Sequence, residues 1–235
     1  QMCIRDSPKV FVLAQELAEE KGADIIVGTD PDCDRVGAMV RNDKGEYVVL
    51  TGNMTGALLT EYILSQKKAK GTLPENGAVI KTIVSTEMIR PMCEAYGVEL
   101  MDVLTGFKFI GEKIKGFEET GSHSYIFGFE ESYGCLAGTY ARDKDAVVAT
   151  LLICEMAAYY KKQGMTLYDG LMALYEKYGY YREGVKSLTM KGLDGVEKIQ
   201  KIMASFRAET PAAFAGVAVE LSLIHISEPT RLDVI

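Results

Sequence analysis

The stretch Gly28-Thr29-Asp30-Pro31-Asp32-Cys33-Asp34-Arg35 sets three carboxylates at every second position directly after an apolar run, Ile25-Ile26-Val27. The apolar run predicts a strand, and the acidic stretch a loop at its carboxyl end. An extended chain sends alternate side chains to one side, so Asp30, Asp32 and Asp34 are expected to face together while Cys33 points away and Pro31 stiffens the turn. Three hard anionic oxygens suit Mg²⁺, which keeps places for water or a phosphate and so makes such a loop a catalytic holder rather than a closed cage. A calcium-binding helix-loop-helix starting at Asp30 needs Gly at its sixth loop position and Glu at its twelfth; Arg35 and Arg41 stand there instead, which removes that reading. A solvated acidic turn is the plain alternative. Arg35, a cation set against three carboxylates, argues for a built site.

Both ends of the chain read as foreign to the rest. Met2-Cys3-Ile4-Arg5-Asp6 can be encoded by ATG TGT ATA AGA GAC, whose reverse complement contains codons for Ser-Leu-Ile-His, and Ser222-Leu223-Ile224-His225 stands near the other end. One short inverted DNA element accounts for both, as sequencing-adapter read-through does. Residues 1–7 and 221–235 are therefore expected to be artefactual tails.

The remainder is long enough for one and a half to two domains with a real core. A formal charge of −7 and a pI near 5.1 argue against a nucleic-acid partner, which favours a basic stripe. Cys33, Cys93, Cys135 and Cys154 show no paired metal spacing and fit free thiols in a reducing cytoplasm. The most apolar run, residues 146–158, is short for a membrane span and carries Glu155, so no membrane partner is expected.

Apolar residues at helical spacing predict a helix over 8–22, presenting Val10, Leu13, Ala14, Leu17 and Ala18 and stopping at Gly22. A strand over 24–28 leads to the acidic loop, and a hairpin pairs 36–40 with 47–50 across Asn42-Asp43-Lys44-Gly45. A helix begins at Thr51 and ends at the basic run 67–70. A strand over 78–84 passes through Ser85, read as a cap, into a helix ending at Tyr96-Gly97; a strand over 98–103 precedes a helix reaching Lys115. Next come a strand over 125–129, a polar loop to Asp145, and helices to Lys162 and over 166–178. A strand-like run over 181–190 and a helix over 194–206 look like a further domain. Strands alternating with helices predict an α/β layered architecture.

Two later loops carry chemistry. In Gly128-Phe129-Glu130-Glu131-Ser132-Tyr133-Gly134, flanking glycines allow a tight turn, and Glu and Ser in it suit sugar hydroxyls; an ordinary polar turn is the plain alternative. In Thr105-Gly106-Phe107-Lys108-Phe109-Ile110-Gly111, Lys108 stands at a strand-to-helix junction, where an ammonium binds phosphate at a helix start or, desolvated, moves a proton. A surface lysine is the alternative there.

In this order and at these separations, GTDPDCDRVG (28–37), TGFKFIG (105–111) and GFEESYG (128–134) resemble the α-D-phosphohexomutases, the family of phosphoglucomutase and phosphomannomutase. The resemblance runs over nearly all of residues 8–220. It implies three-layer α/β/α domains with mixed sheets: the end of a metal-binding second domain at 8–50, a sugar-binding third domain at 51–182 and the start of a fourth at 183–220. It implies phosphoryl transfer between two hydroxyls of one sugar, through a phosphoserine and a bisphosphate intermediate. Asp30, Asp32 and Asp34 would hold Mg²⁺, Glu130 and Ser132 would read sugar hydroxyls, and Lys108 would serve proton transfer. Arg35, with Arg142 and Lys144 of YARDKDAV (140–147), would balance substrate charge. The family's Ser-His-Asn-Pro segment and its Arg-x-Ser-x-Thr-x-Pro phosphate loop are not found in these residues, so the chain by itself is expected to show no turnover. Glucose phosphate is the expected substrate, with mannose or pentose phosphate as alternatives within the family. A sugar-phosphate binder without chemistry is a further alternative. An aspartate-nucleophile phosphatase of another fold is disfavoured by Cys33-Asp34 after the second carboxylate.

Overall fold

The computed structural model of the chain describes residues 11–184, 190, 192–214 and 216–224. The chain divides into two units, residues 1–181 and 182–235. The terminal residues 1–7 and 225–235 fall outside the described ones, as does most of the run expected to be strand-like; its described residues, 181–184 and 190, form no strand.

In the first unit, helix α1 (Val12–Lys21) leads into strands β1 (Ile25–Thr29), β2 (Val36–Arg41) and β3 (Tyr47–Leu50), an antiparallel sheet in that order. The hairpin register pairs Arg41 with Tyr47, and Asn42 Oδ1 closes the turn by accepting from the Lys44 and Glu46 amides. Alternation divides β2 between two cores. Met39, with Ile26 and Tyr47, packs against Phe11 and Ala18, while Val36, Ala38 and Val40 face the larger core. The apolar face expected on α1 is only partly used: Leu13 and Leu17 are exposed, because the helix meets its sheet through Phe11 and Ala18.

Helix α2 (Gly52–Ala69) follows, capped by Thr51 Oγ1, which accepts the Met54 amide and contributes about 1 kcal/mol. Then come β4 (Gly77–Thr82), α3 (Ile89–Tyr96), β5 (Glu99–Val103), α4 (Phe107–Thr120), β6 (Ser124–Phe129), β7 (Cys135–Ala137), α5 (Ala146–Lys162) and α6 (Leu167–Tyr178). The second sheet runs β5-β4-β6-β7, parallel except for β7. Ala78 and Ile80 of β4 face the core under α4, whereas Val79 faces the large core shared by α2, α3, α5 and α6. The sheet is thus covered by helices on both faces, the layered α/β architecture expected. The chain leaves β4 toward β5 on one side and β6 on the other, the change of direction beside which open α/β sheets place their ligand sites.

Four details depart from the sequence reading. Ser85 does not cap α3, whose N-terminus at Met88 has no side-chain cap; the Ser85 hydroxyl pairs with Thr82. Helix α4 continues to Thr120, five residues beyond Lys115, and ends on left-handed Gly121. The polar loop before Asp145 contains β7, whose Cys135 and Leu136 are buried against β6. The acidic loop is a tight turn rather than an extended segment, as described below.

The second unit contains α7 (Leu193–Ala208), matching the helix expected there, and a two-stranded ribbon, β8 (Ala213–Phe214) with β9 (Val217–Ala218).

Candidate functional site

After β1 the chain folds back on itself. The Cys33 amide donates to the Asp30 carbonyl at 3.0 Å, the Asp30 amide to the Arg35 carbonyl at 3.3 Å, and Cys33 adopts a left-handed φ of 57°. This turn, rather than alternation along an extended chain, brings the three aspartates toward one another, with Asp32 exposed. One carboxylate oxygen from each of Asp30, Asp32 and Asp34 lies within 4.8 Å of the others. Cys33 packs on the large core.

Arg35 spans the cluster, its Nε donating to Asp30 Oδ2 at 3.1 Å and to Asp34 Oδ1 at 3.2 Å, and its amide to Asp30 Oδ1 at 3.0 Å. Burial pulls the guanidinium pKa down, but Asp34 and Asp30 outweigh it and leave it above the ordinary arginine value. Lys144 approaches from the far side, with Nζ 3.3 Å from Asp34 Oδ2 and 2.8 Å from Asp143 Oδ1. Burial lowers its pKa too, and again the carboxylates, Asp143 first, raise it above the ordinary lysine value. Three carboxylates facing two cations leave the cluster anionic, with oxygen-only donors, and this donor set fits a hard divalent cation such as Mg²⁺.

The acidic loop is stitched to the loop of Glu130 by backbone hydrogen bonds. Arg35 forms a β-bridge with Gly134, and the Val36 amide donates to the Tyr133 carbonyl at 3.2 Å. The Ala146 amide, at the start of α5, donates to the Cys33 carbonyl at 3.1 Å. Gly134 leaves room for the Lys144 stem: a Cβ there would lie 2.1 Å from Lys144 Cδ. Tyr133 carries the second left-handed non-glycine φ, 71°.

Glu130 is 7 % exposed. Its Oε1 accepts the Gly106 amide at 3.1 Å, so the loops 104–106 and 130–134 meet at this carboxylate. Burial pushes its pKa up; Lys144 works against that and Glu131 adds to it. Ser132 is partly exposed in the same turn. Glu131 turns the other way, with Oε2 accepting from Thr82 Oγ1 at 2.9 Å.

Lys108 sits exposed in the first turn of α4, with Nζ 4.7 Å from the centre of the Phe109 ring. Lys144 Nζ lies 5.5 Å from the neighbouring Phe107 ring, so that turn borders the acidic cluster through Lys144. Arg142 is directed elsewhere. Its guanidinium pairs with Glu118 and donates to the Thr139 and Ala141 carbonyls. Glu118 lies ten residues beyond Lys108 on α4, about 15 Å along the axis. The structure therefore gathers Asp30, Asp32, Asp34, Arg35, Lys144 and Glu130 and leaves Arg142 out. Gly134 and Asp143 both meet Lys144, a relation that the sequence reading does not contain. The tight turn implied by the glycines of GFEESYG was the available signal for the first.

Residues 51–178 match the family described as phosphoglucomutase/phosphomannomutase, alpha/beta/alpha domain III. A phosphoglucomutase of Staphylococcus aureus (strain MRSA252) is 38% identical over 226 residues, 96% of this chain and 40% of the relative. The chain spans about 40% of the length of the curated relatives it matches. Among solved structures, a phosphoglucomutase/phosphomannomutase family protein from Burkholderia thailandensis superposes with a TM-score of 0.59 at 17% identity, over 92% of this chain and 40% of that one. The N-acetylphosphoglucosamine mutase of Aspergillus fumigatus, solved with GlcNAc-6P and magnesium, superposes with a TM-score of 0.50 at 14% identity, over 64% of this chain and 35% of that one. Both likenesses concern the fold.

Proposed function

The chain belongs to the phosphoglucomutase/phosphomannomutase family, and from that premise we propose that it is the cation- and sugar-binding portion of a longer cytoplasmic isomerase interconverting glucose 1-phosphate and glucose 6-phosphate. In this proposal residues 8–50 close the metal-binding domain, 51–182 form the sugar-binding domain and 183–220 open the next. The phosphoserine donor and the second phosphate clamp are supplied by the part of the relatives that this chain does not span.

Asp30, Asp32 and Asp34 would hold Mg²⁺, which when bound offsets the charge on a transferring phosphoryl group. Arg35 and Lys144, kept protonated by their carboxylates, draw a phosphate to the same place. Glu130 accepts a sugar hydroxyl with the oxygen not committed to Gly106, and Ser132 offers a hydroxyl beside it. Lys108 adds an ammonium at the positive, N-terminal end of α4, a placement suited to the phosphate at the other end of the sugar. Arg142 reaches substrate only by leaving Glu118. Because a bisphosphate must be held in both orientations, the sugar loop and the phosphate cations have to keep a fixed spacing.

The observation carrying this reading is the join between the acidic loop and the Glu130 loop through Arg35, Gly134 and Lys144. Calorimetry of the chain with glucose 1-phosphate in Mg²⁺ tests it. Binding of glucose 1-phosphate, with no glucose 6-phosphate formed when glucose 1,6-bisphosphate is added, is the expected result. Absence of binding, or turnover by the chain alone, contradicts it.

A further inference from the structure

Two adjacent glutamates stand in the sugar loop, and the structure gives them different work. Glu130 faces Gly106 and Lys144, whereas Glu131 is tied to the central strand of the sheet. Thr82, the last residue of β4 and fully buried, is 2.9 Å from Glu131 Oε2 and 2.7 Å from Ser85 Oγ. A threonine hydroxyl has one proton, and an ionised carboxylate only accepts. The direction of the chain is therefore fixed: Ser85 donates to Thr82, and Thr82 donates to Glu131.

The base of this relay is held in turn. Lys81, with no exposed side-chain surface, donates to the Thr82 and Ser85 carbonyls at 3.4 and 3.3 Å and pairs with Asp102 at 2.7 Å and Glu87 at 2.9 Å. The Glu131 backbone is closely packed as well. A Cβ at Gly52, the first residue of α2, would lie 2.0 Å from the Glu131 carbonyl oxygen. Glu131 is thus gripped by side chain and main chain at once, between Glu130 and Ser132.

Resting on the reading that Glu130 and Ser132 hold sugar hydroxyls, we propose that Glu131 is a positioning residue, and that its hydrogen bond from Thr82 sets the orientation of both neighbours. In this proposal Glu131 acts through its neighbours rather than on the sugar, with its Oε2 taken by Thr82. A charged acceptor suits the task, since hydrogen bonds to an ionised group are about twice as strong as neutral ones. The loop's left-handed Tyr133 gives it a strained conformation to be held in.

The test is glucose 1-phosphate binding to the chain in Mg²⁺, measured by calorimetry, for the wild type, Thr82→Val, Thr82→Ser, Glu131→Ala and the double variant Thr82→Val/Glu131→Ala. Removing the hydroxyl or the carboxylate is expected to weaken binding roughly tenfold. Thr82→Ser keeps the donor and is expected to bind within about threefold of wild type. The double variant is expected to be no weaker than the worse single one, because both changes break one bond. A structural loss unrelated to this bond gives additive effects and no rescue by serine, and either result overturns the proposal. Should Thr82→Val fail to fold, Glu131→Ala against Thr82→Ser decides, wild-type affinity in the former overturning the proposal. A wild-type chain that binds no glucose 1-phosphate refutes instead the sugar-binding reading on which the proposal stands.

Discussion

Lys144 reaches Asp34 across the face of Gly134, its Nζ 3.3 Å from Asp34 Oδ2 and its Cδ where a Cβ on Gly134 would have to be. A side chain from the segment before α5 thereby joins the acidic loop after β1 to the Glu130 loop after β6. Gly134→Ala is expected to push the Lys144 stem aside and strain its pairing with Asp34 and Asp143, at a stability cost of about 1 to 2 kcal/mol. Glucose 1-phosphate affinity falls with it. Calorimetry together with thermal melting checks both; a loss of stability without loss of affinity contradicts the arrangement.

Gly52→Ala is the contrasting case. By helix propensity alone, alanine in place of glycine stabilises by about 1 kcal/mol. At Gly52 the new methyl meets the Glu131 carbonyl at 2.0 Å and the Tyr133 amide nitrogen at 2.9 Å, and backbone cannot swing away. Destabilisation of roughly 2 kcal/mol or more is expected, read from urea unfolding.

Glu61 joins three helices. It is 8 % exposed and accepts from the Tyr96 hydroxyl, Lys177 Nζ and the Tyr178 hydroxyl, each at 2.8 Å. Burial and this carboxylate push both tyrosines far above the ordinary phenol range. Glu61→Ala leaves three donors without an acceptor and is expected to cost on the order of 2 to 3 kcal/mol, less than a fully buried pair because Lys177 remains half exposed. Tyr178→Phe removes one donor and is expected to cost about 1 kcal/mol. Equilibrium unfolding of the two variants measures the difference.

Glu130 makes stability depend on pH with a definite sign. Its folded-state pKa is raised, mainly by burial, so the ionised form is the costly one. The folded chain holds its proton more tightly than the unfolded chain, whose glutamates titrate near 4.3. The associated stability is therefore full below that value and lost as pH rises through the folded pKa. Glu130→Gln is uncharged, and Gln Oε1 can still accept from Gly106. The variant is expected to melt higher than wild type at pH 7, with the gap closing as pH falls toward 4. A gap that does not change with pH contradicts the assignment.

The layered fold was legible because local signals agreed with the tertiary result: Thr51, Asp145 and Thr166 cap their helices as short polar side chains do, and Gly22 and Gly97 end theirs in left-handed conformations. The convergence of Asp30, Asp32 and Asp34 was expected from an extended segment, yet it arises from a turn with Cys33 at positive φ, a conformation that residue periodicity does not encode. Arg142 and Lys144 looked alike in the sequence, two cations in one loop. Glu118 on α4 draws one away and the gap over Gly134 admits the other, and both causes are distant in the chain. The Glu61 cluster had no local signal at all, since its tyrosines lie 35 and 117 residues away. Leu13 and Leu17 mark the reverse failure, an apolar spacing that the described residues leave exposed.

Mn²⁺ binding to the purified chain, measured by electron paramagnetic resonance, addresses the central claim most directly, since the free ion and the bound ion give separable signals. One site per chain is predicted, abolished in Asp32→Asn and in Asp34→Asn and competed by Mg²⁺. Equal binding by the wild type and both variants, or none by any, would contradict it.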